Sequence, residues 1–125
     1  MKLIPDSAVR PSYSRRVDFV GDRLNADYSL SCLQCGAQMS IAAQQFIERW
    51  WGKWEKDFNS EEVAALLENF DVSTTSGKSH DGGLPVFLRA ACQACQADHI
   101  VYAGVQETST SYYAVWVHGV AMAIA

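Results

Sequence analysis

The sequence predicts an α+β fold, an antiparallel sheet clamped at a four-cysteine site, with two helices inserted between the halves of that site. Three observations predict it. The four cysteines fall into two Cys-x-x-Cys pairs, Cys32–Cys35 and Cys92–Cys95, far apart in the chain. Between them, apolar residues recur at spacings of three and four, the period of a helix with one buried stripe. Outside that stretch the apolar residues alternate with polar ones or form short runs bounded by turn residues, the pattern of strands.

The elements follow in order. Residues 1–14 read as an extended arm, because Pro5, Pro11 and three serines interrupt any period. From 15 to 125 the chain reads as one domain, with the helical insertion at 40–70. Arg15 to Val20 suits a strand, and Asp27 to Cys32 alternates with Tyr28 and Leu30 on one face. Ala43, Phe46, Ile47, Trp50, Trp51, Trp54 and Phe58 then predict a single helix from about Ile41 to Phe58, capped by Ser40. Ser60 is placed to cap a second helix, with Glu61 and Glu62 at the positive end of its dipole and Val63, Leu66, Leu67 and Phe70 as its apolar stripe. Residues 71–83 are rich in Ser, Thr, Gly and Asp and read as a surface loop. Leu84 to Ala91 enters the second cysteine pair, His99 to Val105 leaves it, and Tyr112 to Ile124 is the last strand. Both faces of that strand are apolar, so it is central or covered. Left uncovered, its edge would suit a homodimer.

The cysteine spacing carries the chemistry. Two residues between thiolates let one tight turn offer both to a single ion, and two such turns complete a tetrahedron of sulfur. With Met1 to Ile4 meeting Pro5 and Asp6, no secretory h-region forms at the start of the sequence. A reducing cytosol is therefore expected, and there four cysteines in this pattern favour metal over disulfides. Structural Zn²⁺ held by Cys32, Cys35, Cys92 and Cys95 is the expectation, with iron compatible with the same ligands. A thioredoxin-like redox pair would need a βαβ setting that the pattern lacks.

Cys32-Leu33-Gln34-Cys35-Gly36 resembles the knuckle of zinc-ribbon and rubredoxin-like proteins, where a glycine follows the second cysteine. The second pair departs from this by carrying Gln96 at that place. The resemblance covers the two knuckles and their flanking strands. It implies a zinc-clamped pair of hairpins and no particular function.

The formal net charge is −4 and hydrophobic residues make up 49% of the chain, so neither wholesale disorder nor a strongly basic nucleic-acid surface is indicated. No apolar run is long enough to span a membrane as a helix. The acidity concentrates in residues 46–71, seven carboxylates against three bases, a net of −4. Trp50, Trp51 and Trp54 lie in the same segment, and Trp51 is turned about 100° from Trp50 on a helix. Together with Glu55, Glu61 and Glu62 they are the candidate partner-binding residues, an aromatic anchor inside an acidic rim. Size and acidity resemble those of small bacterial immunity proteins. A regulatory module that inhibits a basic protein partner is thus the functional expectation. The alternative is a nucleic-acid-binding zinc ribbon, favoured by Arg10, Arg15 and Arg16. Nothing demands an enzyme: catalytic motifs are lacking, four cysteines leave no open metal position for His99 or His118, and His80 beside Asp81 is a weak acid–base couple in a loop.

Overall fold

The computed structural model describes residues 2–5, 15–20, 27–73, 77–79, 82–109 and 112–124. Most of the arm and the pair His80–Asp81 lie outside the described residues. The fold is α+β. In chain order the elements are β1 (Lys2–Pro5), β2 (Arg15–Val20), β3 (Asp27–Ser31), β4 (Gln38–Ala42), α1 (Ala43–Gly52), a 3-10 helix (Trp54–Asp57), α2 (Ser60–Asn69), β5 (Leu84–Ala91), β6 (Asp98–Ser109) and β7 (Tyr112–Ile124).

Five strands form one antiparallel sheet. β7 pairs with β6 on one side and β6 with β5 beyond it. On its other side β7 pairs with β2 over Tyr112–Val117 and with β1 over Ala121–Ile124. The last strand is thus central, which explains why Val115, Val117, Val120 and Ala121 are buried along with Ala114 on successive faces. Both edges of β7 are paired over these residues, so the uncovered edge on which the homodimer expectation depended is not present there. Within the segment read as an arm, residues 2–5 pair with β7 at one end of this sheet.

β3 and β4 form a separate two-stranded hairpin, with Asp27 opposite Ala42 and Ser31 opposite Gln38. The expected helix start hid β4. Gln38 to Ala42 alternates exposed and buried, with Met39 and Ile41 inward, so it is a strand by its own period. The helix therefore begins later than expected and is capped differently. Ala42, not Ser40, is the N-cap, and Gln45 Oε1 accepts the Ala42 N–H at 3.0 Å. In α2 the cap is Asn59 rather than Ser60. Its side chain accepts the Glu62 N–H at 2.8 Å, while Glu62 accepts the Asn59 N–H at 3.0 Å, a reciprocal capping box.

The long helix expected over 41–58 breaks at Lys53, whose φ of 65° is left-handed. The preceding Gly52, a poor helix former, marks the break. It reorients the tryptophans. Trp54 swings into the core, 6% exposed, against Phe58 and Phe87, with ring centroids 6.0 and 4.8 Å away. Phe87, Tyr102 and Phe70 continue this aromatic layer over the sheet, Phe87 and Tyr102 stacked at 5.0 Å. Gly119 completes it by having no side chain, since a Cβ there would meet the Phe70 ring at 3.0 Å.

Candidate metal centre

Each cysteine pair sits in the turn of a hairpin, Cys32–Cys35 between β3 and β4 and Cys92–Cys95 between β5 and β6. The two turns have the same backbone. The Cys32 N–H donates to Ala37 O at 2.8 Å and the Gly36 N–H to Cys32 O at 2.9 Å. The Cys92 N–H donates to Ala97 O at 2.9 Å and the Gln96 N–H to Cys92 O at 2.8 Å. In both, the residue after the second cysteine is left-handed, Gly36 at φ 77° and Gln96 at φ 66°. Glycine takes this conformation freely, whereas a residue with a Cβ is strained there by about 1–2 kcal/mol. Gln96 recovers part of that through its side-chain amide, which donates to Gln93 O at 3.2 Å. Gln96→Gly is expected to stabilise the protein by about 0.5–1 kcal/mol, and Gly36→Ala to destabilise it by a similar amount. Urea midpoints at constant slope would measure both, and a destabilising Gln96→Gly would contradict the strain argument.

The turns face each other. All four Sγ atoms lie within 4.8 Å of one another, with Cys32 Sγ 3.5 Å from Cys95 Sγ and Cys35 Sγ 3.7 Å from Cys92 Sγ. Four sulfurs at a zinc–thiolate distance of about 2.3 Å would stand about 3.8 Å apart along the edges of a tetrahedron. The residues therefore fit a four-thiolate metal site. Cys32 and Cys92 are buried, Cys95 is half-buried and Cys35 is exposed, so the site has an inner edge and an open outer one.

The thiols are electrostatically unequal. Burial pushes the Cys32 thiol up, but the N–H groups of Cys35 and Gln34, both 3.4 Å from its sulfur, and the neighbouring thiols of Cys95 and Cys35 outweigh it and bring it to about 6. Cys95 gains from a backbone bond at Ala97, yet burial and the three neighbouring sulfurs push it up to about 12. The two facing thiols, Cys32 and Cys95, are thus shifted in opposite directions.

His99 and His118 are both buried, and neither joins the four-sulfur cluster. His99 Nε2 accepts the Leu33 N–H of the first turn at 3.1 Å, and its Nδ1 lies 3.0 Å from Ala97 O of the second. Sequence reasoning considered His99 only as a ligand and missed this bridge.

The partner-binding candidates separate. Trp51 is 61% exposed, the most exposed of the large apolar side chains described, while Trp50 is half-buried. The two flank Tyr113 of β7 edge-on, at 5.9 Å from Trp50 and 5.7 Å from Trp51. Trp54 is corrected to a core residue: the break at Lys53 removes it from the helix surface. Glu55 and Glu61 are exposed, and among the described residues neither has an ion-pair partner. Glu62, another of the partner-binding candidates, is half-buried and tied to its neighbours. Its backbone bond with Asn59 and the charge of Arg89, 3.5 Å away, hold its carboxyl below the usual range. Arg89 also reaches Asp98 at 3.2 Å and covers the Phe58 ring, so this corner is tied together rather than open.

Among the described residues no helix is long and apolar enough to cross a membrane. In comparisons with known proteins, no family model matches this chain, and no curated protein or solved structure matches it either.

Proposed function

We propose that this protein is a zinc-stabilised binding module, in which the metal is structural and the contact with a basic protein partner is made by the acidic helical segment. The observation that carries the reading is the four-sulfur cluster, whose separations suit a closed tetrahedral site. A closed shell of four thiolates has no vacant position at which water or substrate would be activated, so the ion's role is to hold two hairpins together. Zinc is preferred to iron because it needs no redox partner and takes this ligand set in structural sites. Thiols in this state suit a reducing compartment, the cytosol.

The binding face follows from exposure and charge. Trp51 stands out from α1 with Tyr113 behind it, a rigid aromatic anchor of the kind that dominates interface energies. Glu55 and Glu61, without an ion-pair partner among the described residues, contribute negative charge to the same segment. A basic partner would be steered by these charges and held by the tryptophan. A small acidic module of this kind fits an immunity or regulatory protein that inhibits its partner.

The test is a partner captured by crosslinking and then rebound in purified form. Trp51→Ala should weaken the complex at least tenfold, mainly through faster dissociation. Glu55→Lys with Glu61→Lys should slow association and flatten its dependence on salt. Binding that tracks neither change, or that resides in a nucleic acid, would overturn the reading.

A further inference from the structure

The two cysteine turns belong to different sheets, and among the described residues no strand pairing joins β3–β4 to the five-stranded sheet. Something other than a ladder must set how the turns face each other. His99 spans them. Its side chain is fully buried, and each ring nitrogen meets the backbone of a different turn. Because the Leu33 N–H donates to Nε2, that nitrogen carries the lone pair, and the ring proton sits on Nδ1, donating to Ala97 O. The tautomer is therefore fixed by the two turns, and the imidazole faces no metal with either nitrogen.

We propose that His99 is a positioning residue for the metal centre, a strut that holds the first turn in register with the second through the Leu33 N–H. Leu33 follows Cys32 directly, and Ala97 lies two residues after Cys95, so the ring spans the backbone from one ligand pair to the other. The cluster is thereby assembled before an ion enters. In most metal sites a histidine near the ion is a ligand oriented by an outer partner. Here the histidine is itself the outer partner, acting on backbone rather than on sulfur. The proposal rests on the metal reading for its effect on an ion, and on the hydrogen bonds alone for the strut.

Three substitutions separate the bridge from simple packing. A glutamine places a polar atom where Nε2 stands and can still accept from Leu33. An asparagine places its amide where Nδ1 stands and keeps only the contact within its own turn. A leucine keeps neither. Co²⁺ is loaded as the probe, and its thiolate charge-transfer absorption is followed while a chelator removes it. Release is expected to be about 10–100-fold faster in His99→Asn and His99→Leu than in the unsubstituted protein, and nearly unchanged in His99→Gln. Equal release rates for the Gln and Asn variants would overturn the proposal, and the pair remains informative even if the leucine variant fails to fold. Hydrogen exchange of the Leu33 amide in metal-free protein gives the second readout. Protection in the unsubstituted and Gln proteins, lost in Asn, supports the strut. Equal exchange in all three overturns it. If the unsubstituted protein binds no Co²⁺ or Zn²⁺, the metal reading fails, and the amide exchange still decides the strut.

Discussion

Cys92→Ser is expected to release the metal and to lower the melting temperature by about 15 °C. The substitution changes one buried atom, so little packing is lost and the effect reports the ion. A ligand that binds only the folded state at a thousand times its dissociation constant contributes about 4 kcal/mol, which sets the scale. In a domain of this length each kcal/mol moves the melting temperature by roughly 4 °C. Small zinc modules without a core depend on the ion for folding outright. This chain has its own core around Phe46, Phe87 and Tyr102, so it should stay folded at room temperature without metal. A strong chelator should bring the unsubstituted protein to the melting point of the variant and leave the variant unmoved. Acid should act in the same direction. Binding needs thiolates and releases protons, so affinity falls as pH drops through the value near 6 at which Cys32 takes up its proton. Metal analysis that finds neither zinc nor iron, with identical melting in chelator, would end the metal reading.

Phe87→Ala should be the most damaging change away from the cysteines, costing about 3–5 kcal/mol. Phe87 is fully buried where three aromatic rings converge: Trp54 from the 3-10 helix, Phe70 from the end of α2 and Tyr102 from β6. Its removal leaves a cavity that rings held from three elements cannot collapse into, which places the cost at the upper end. Trp51→Ala, a larger deletion by volume, should cost under about 0.5 kcal/mol because most of its surface is already in water. Urea unfolding of the two variants checks the contrast. A large loss at Trp51 would mean that its edge contact with Tyr113 is structural, and would remove the argument for it as an anchor.

The cysteine turns were legible because their geometry is local. A Cys-x-x-Cys turn is decided within six residues, and both turns close with the same hydrogen bonds although Gln96 stands where Gly36 does. β4 was legible in principle. The alternation of Gln38-Met39-Ser40-Ile41-Ala42 is a strand period, but it runs straight into the helical stripe, and a serine at its middle imitates a cap. Ser60 misled in the same way, one residue from the Asn59 that makes the capping box.

The sequence by itself determined the elements with a clean period, the pairing of cysteines into two turns, and the acidity of the helical segment. It determined them because periodicity, turn closure and charge depend on neighbours within a few positions. Only the tertiary structure decided which tryptophan is buried. Trp50, Trp51 and Trp54 share one helical pattern, and the left-handed break at Lys53 sends Trp54 to Phe87 while leaving Trp51 in water. Only the tertiary structure paired Glu62 with Arg89 and placed His99, left without a role by the four-cysteine count, as a bridge between the turns. Each of these depends on a contact between residues more than twenty positions apart. Such contacts form where the whole chain finds its best packing, and no local pattern records them.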